Sequence, residues 1–204
     1  MGLVRLACGV LASALLVWGQ VIEFESGGLR YKTLTRNGVT IMFAPLPNQI
    51  REYSILQVAV SNGSRIPWTI KTGDFLFEKA EGGPAVSPAN PRKVVNELVD
   101  KAGRSDVIKL VATYEIGLYG LTRLTSTNGY EQRRQAAFAE LTSAKLKAAA
   151  AASAIAFVDV KLTPGQSTDG ALFYPNHGKA LGRGKLTVRA AGEVFEFPPE
   201  PLAP

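Results

Sequence analysis

Side chains able to do chemistry are few in this chain. Among its 204 residues there is one cysteine, Cys8, and one histidine, His177. A Ser-His-acid hydrolase would have to route its proton through His177, and a zinc ion would have to rest on carboxylates. His177 lies in Tyr174-Pro175-Asn176-His177-Gly178-Lys179, which has the composition of a surface turn. It reads as a solvated loop residue, not a catalytic base. Hydrolysis by carboxylates alone needs two acids at a working separation. Asp74, Glu78, Asp159 and Asp169 are the candidates, scattered over strand ends. The loop from Gly178 to Gly184 holds three glycines but no Gly-Lys-Ser or Gly-Lys-Thr, and it leads into a strand, so it is no phosphate cradle. No catalytic, cofactor-binding or metal-ligating residue is assigned. No cofactor is expected, and the chain is expected not to be an enzyme.

The first residues carry an address. Met1 to Arg5 is a short positive start, and Leu6 to Trp18 is an apolar run of the size of a signal-peptide core. Residues 1–19 are read as a signal peptide, with cleavage after Gly19. If it is not cleaved, Leu6 to Ile22 would act as an anchor, though it is short for a span of about 20 residues. Either outcome exports the chain to a periplasmic or extracellular location. Arg5 stands where a lipobox ending at Cys8 would need an aliphatic residue, which argues against lipidation. The mature chain then has no cysteine and no disulfide.

Net charge is +6 for the whole chain. The excess is uneven. Residues 91–155 hold ten Lys or Arg against six Asp or Glu; the flanking stretches are nearly balanced. A basic helical face can meet anionic lipid or polymer, so peripheral contact with an anionic membrane is an open option. Nucleic acid is not expected, because aromatic and basic residues do not interleave as base-stacking sites require.

The elements that must position these side chains fall into three blocks. Strands are predicted at 29–34, 39–43, 53–61, 68–70 and 74–78. Asn37-Gly38 signals a hairpin, and Pro45 and Pro47 are expected to end the second strand. Asn62-Gly63-Ser64 is read as a turn in preference to a glycosylation site. Helices follow over 91–155. Asn90-Pro91 starts the first, with Val94, Val95, Leu98, Val99 and Ala102 along one stripe. Ser105 can cap a second, carrying Val107, Leu110, Val111, Tyr114, Leu118 and Leu121. Asn128 with Glu131 resembles a capping box for a third, about 130–155, which turns Phe138, Leu141, Ala148 and Ile155 inward. Its alanine run is the strongest helix former in the chain, and small side chains let it lie flush on a neighbour. None of the three suits a membrane, since Lys and Glu interrupt the apolar stretches. Strands return at 157–162, 170–174, 185–189 and 193–197. In the first of these, Phe157 and Asp159 are expected on one face and Val158, Val160 and Leu162 on the other. Residues 199–204 form a Pro-rich tail.

Eight or nine short strands with hairpin signals predict a mainly β fold, an antiparallel sandwich interrupted by a helical hairpin or three-helix block. Residues 20–90 and 156–198 make the sandwich, and 91–155 the helical insertion. The stretch Leu162-Thr163-Pro164-Gly165-Gln166-Ser167-Thr168-Asp169-Gly170-Ala171-Leu172-Phe173-Tyr174 resembles the Pro-Gly-x-Ser turn and following strand of immunoglobulin-like domains in bacterial cell-envelope proteins. Leu56 to Asn62 is similar to their central strand. The helical insertion departs from that pattern. The resemblance implies an exported, non-catalytic envelope module that contacts another envelope protein or serves as a structural spacer. The alternatives are binding of anionic envelope lipid or polymer through the basic helical block, and a carboxylate-dependent envelope hydrolase. The oligomeric state is left open.

Overall fold

Asn37 and Gly38 both adopt left-handed backbone, with φ of 45° and 78°. A two-residue hairpin turn demands this conformation, and Asn-Gly adopts it at little steric cost. The turn joins two strands of a five-stranded sheet. In the computed structural model, which describes residues 19–110, 112 and 143–199, that sheet runs in the order β1-β2-β3-β4-β8. Its members are β1 (Ile22–Ser26), β2 (Leu29–Arg36), β3 (Val39–Ile50), β4 (Tyr53–Asn62) and β8 (Ser167–Pro175). A three-stranded sheet is ordered β10-β9-β6, from β6 (Phe75–Lys79), β9 (Gly184–Ala190) and β10 (Glu193–Phe197). The short strands β5 (Trp68–Ile70) and β7 (Val160–Leu162) pair with each other. Every pairing inside a sheet is antiparallel. The fold is mainly β, as expected.

The five-stranded sheet has two faces, and both are covered. Side chains alternate along β4. Leu56, Val58 and Val60 join a core with Phe75 and Phe77 of β6, Leu186 and Val188 of β9, and Phe195 and Phe197 of β10. Tyr53, Ile55 and Ala59 point the other way, into a second core with the helices. Strands from before and after the helical block thus share one interior. That shared interior follows from period-2 alternation, which sends successive side chains to opposite faces.

The helical layer consists of α1 (Pro91–Lys101), helical turns over 104–110, and α2 (Ala144–Ile155). Asn90 caps α1 as predicted, its side chain accepting from the Arg92 amide at 2.9 Å. Val94 and Leu98 are buried, but Val99 is 37% exposed and lies off the buried stripe. Ala148, Ala149, Ala151, Ala152 and Ala154 of α2 are all buried. Their short side chains let α2 sit close to α1 and the sheet, so the expected flush packing is observed. Arg51, at the β3–β4 turn, bonds the Lys101 carbonyl and lies 3.0 Å from Asp106. This pair ties the helical layer to the sheet. No described helix is long and apolar enough to cross a membrane. The expected helical starts and contacts within 113–142, including Tyr114, Leu118, Leu121, Asn128, Glu131, Phe138 and Leu141, lie outside the described residues. So do Val111, residues 1–18 and residues 200–204.

Three local expectations are corrected. Pro45 and Pro47 do not end the second strand: β3 continues to Ile50, with a register shift between Pro45 and Gln49. Pro47 falls in this shift, out of the ladder, where its missing donor costs nothing, while Pro45 keeps its place opposite Leu56. β1 was not foreseen, because its isoleucine and phenylalanine stand among Glu and Ser with no strong turn before them. The 157–162 strand is shorter than expected. Phe157 is fully buried while Val158 is 41% exposed, and only Val160–Leu162 is regular strand. The Phe157 amide donates to the Ala171 carbonyl at 2.9 Å, which fixes Phe157 inward before β7 begins.

Candidate functional site

Of the four acidic candidates, the structure brings two together. Thr72 donates through its amide (2.8 Å) and its hydroxyl (3.1 Å) to the Asp159 carboxylate. Asp74, two residues on, accepts the Lys71 amide at 2.7 Å and so closes a short 3-10 turn. Burial pushes the Asp74 carboxyl above its ordinary pKa, and the Asp159 charge adds to that, against the Lys71 amide and ammonium. Asp159 also lines a cleft of about 540 Å³ with Thr72, Asn90 and Arg92. Each of these two carboxylates therefore holds backbone in place. Glu78 sits 3.5 Å from Lys185 across the β6–β9 ladder. Asp169 lies opposite Ala59 in the five-stranded sheet and is 4% exposed. These last two are on different sheets, and neither lines the cleft with Asp159.

His177 is exposed, at φ 50°, in the turn expected of it. Its neighbour Asn176 was not singled out by sequence, yet it organises the whole loop. The Asn176 side-chain amide donates to the carbonyls of Lys179 (3.2 Å) and Ala180 (2.6 Å), and its oxygen accepts from Lys79 at 2.6 Å. Ser54 donates to the Lys179 carbonyl at 2.6 Å. Asn62 is likewise buried. It holds the Ile66 and Leu162 carbonyls at 2.8 and 3.0 Å, which supports the turn reading over the glycosylation reading.

The loop held by Asn176 forms one wall of a second concavity. Two adjoining hollows, of about 500 and 320 Å³, share Arg30, Pro45 and Gly182. They lie beyond the last β2–β3 pair, Lys32 with Phe43. The five-stranded sheet contributes Arg30 and Lys32 of β2 with Phe43 and Pro45 of β3; the opposite wall is Phe77 of β6, Arg183 and Gly184. Gly184 is required here: a Cβ on it would stand 2.3 Å from the Phe77 ring and 2.4 Å from the Glu78 carbonyl. Lys32 is 8% exposed, with its ammonium 3.3 Å from the Pro198 carbonyl and 3.2 Å from Glu23. Three cationic side chains and no acidic one line the two hollows. Their residues come from three separate parts of the chain, so no spacing pattern announces them. Among the described residues no cluster of three or more His, Cys, Asp or Glu is arranged to hold a metal ion.

No protein-family model, curated protein or solved structure matches this chain.

Proposed function

We propose that this chain is an exported, non-catalytic module of the cell envelope, an immunoglobulin-like sandwich with a helical layer, which works by contact with another envelope protein. The two antiparallel sheets packed through one core support the immunoglobulin-like reading. The observation that carries the non-catalytic reading is the engagement of Asp74 and Asp159 with backbone amides. In each, one oxygen is committed to bracing the backbone rather than to a substrate. Export is tested by expressing the full chain with its own leader and measuring its N-terminus from the envelope fraction. The expected start is Gln20; a chain retained in the cytoplasm with its leader intact overturns the export reading. Catalysis is tested by incubation with envelope polysaccharides. Turnover that disappears in Asp159→Asn would overturn the non-catalytic reading.

A second reading is contact of the helical layer with anionic lipid. Exposed Ile108 and Leu146 stand beside exposed Lys109 and Lys145, a pairing of apolar and basic side chains suited to a membrane surface. Such binding to anionic vesicles weakens as salt is raised; binding insensitive to salt contradicts it.

A further inference from the structure

We propose that the hollow between β2, β3 and the 182–184 segment binds a small anionic amphiphile: one phosphate or carboxylate head on an apolar body. This goes beyond the module reading and stands or falls separately from it. The argument begins with charge. Arg30, Lys32 and Arg183 line the larger hollow, and no carboxylate lines it. Glu23 pairs with Lys32 and Glu25 stands opposite Arg30, both from β1 and off the lining. Positive potential in a concave, low-dielectric wall concentrates anions.

Shape and polarity supply the rest. The hollow of about 500 Å³ is within the range of small-molecule sites. Phe43 and Phe77 form its apolar floor, and the exposed ring of Pro45 stands at its side. A purely inorganic anion would leave that floor unused, and a neutral apolar ligand would leave the cations unused. An extended peptide is disfavoured by the backbone. β2 lies between β1 and β3, and Gly184 of β9 is paired with Lys79 of β6. Strand addition needs free donors and acceptors on a sheet edge; on the edge strand β6 those of Phe77 are taken by Val86, and β3 beyond its pairing with β2 carries Pro45 and Pro47. The Pro45 ring has no amide donor at all.

The wall is also prepared in advance. Asn176 pins the segment leading to Leu181, which is buried in the core between the sheets. The Ala80 amide donates to the Arg183 carbonyl at 2.9 Å, fixing the backbone that carries the Arg183 side chain. Lys32 is held by Glu23 and Pro198. A ligand therefore meets cations on a rigid support, which limits the entropy cost of binding.

The test is titration calorimetry on the mature protein with monomeric octyl phosphate, octyl glucoside and inorganic phosphate. Octyl phosphate is expected to bind saturably at one site, at least about tenfold tighter than either of the others, because octyl glucoside lacks the charged head and inorganic phosphate lacks the apolar body. Arg183→Gln, at an exposed position that leaves folding intact, should weaken it about tenfold, and Arg183→Lys should restore most of the loss. Arg30→Gln should act alike. Equal binding of octyl glucoside, equal binding of inorganic phosphate, an acidic peptide that displaces octyl phosphate with higher affinity, or indifference to both arginine variants overturns the proposal. None of these results bears on export or on the non-catalytic reading.

Discussion

The two faces of the five-stranded sheet solve the same packing problem with opposite materials. Toward the small sheet, the interior is built from large rings: Phe43 meets Phe197 edge-on at 4.9 Å, and Phe75 meets Phe157 at 5.4 Å. Toward the helices, six alanines from Ala148 to Ala156 carry much of the contact. Sheets pack about 10 Å apart and need long side chains to fill the gap. An alanine-faced helix instead closes the gap by moving its backbone inward. The helix face also tolerates polar groups. Tyr31, Gln57 and Asp169 are buried on it, as Tyr174 and Thr168 are on the opposite face. The lesson is that removal of bulk should hurt one face and addition of bulk the other.

Substitutions can break that contrast. Phe195→Ala empties a fully buried site between the sheets and should cost about 3–5 kcal/mol by urea unfolding. A loss near 1 kcal/mol would mean that the interior collapses to refill the space. Ala152→Leu forces extra side-chain bulk into a filled helix contact and should cost about 1–3 kcal/mol. If it stabilises instead, α2 is not close-packed.

Alkaline titration probes the helix-facing side, although burial also raises Tyr174 between the sheets. Burial, with the Asp169 charge second, raises Tyr31 to about 12; burial, then the Glu97 hydrogen bond, raises Tyr53 to about 12. Both face the helices. A folded-state pKa above the unfolded value of about 10 gives stability that is intact below pH 10 and lost as pH rises through 12. Unfolding free energy should fall over that window by up to about 1.4 kcal/mol per pH unit for each tyrosine. Tyr31→Phe should flatten its share; an unchanged slope contradicts the assignment. Last in size, Asn90→Ala should cost about 1 kcal/mol through the lost α1 cap, with helix fraying seen by amide exchange.

What could be read from sequence depended on whether the signal was local. The Asn37-Gly38 turn, the Asn90-Pro91 helix start and the β-branched strand from Tyr53 to Ser61 are local rules, and each is observed. The continuation of β3 past two prolines needed knowledge of its bulge, which partner strands decide. Phe157 joins Val160 and Leu162 in one core, against the expected alternation, because its backbone bond to Ala171 places it before the regular strand begins. The basic hollow was out of reach for a different reason. Arg30, Phe77 and Arg183 are far apart in the chain, and only the pairing of both sheets around one core assembles them. Asn176 was hidden by its own composition, since an asparagine in a turn looks the same whether it faces water or anchors a loop.

The shared interior is the claim on which all of this rests, and one contact reports on it most directly. Phe43 belongs to β3, before the helices, and Phe197 to β10, near the far end of the chain. A double-mutant cycle with Phe43→Leu and Phe197→Leu, measured by equilibrium unfolding, should give a coupling of about 0.5–1.5 kcal/mol. Additivity within about 0.3 kcal/mol would mean the two rings do not meet, and the two flanks of the chain would not close on a common core.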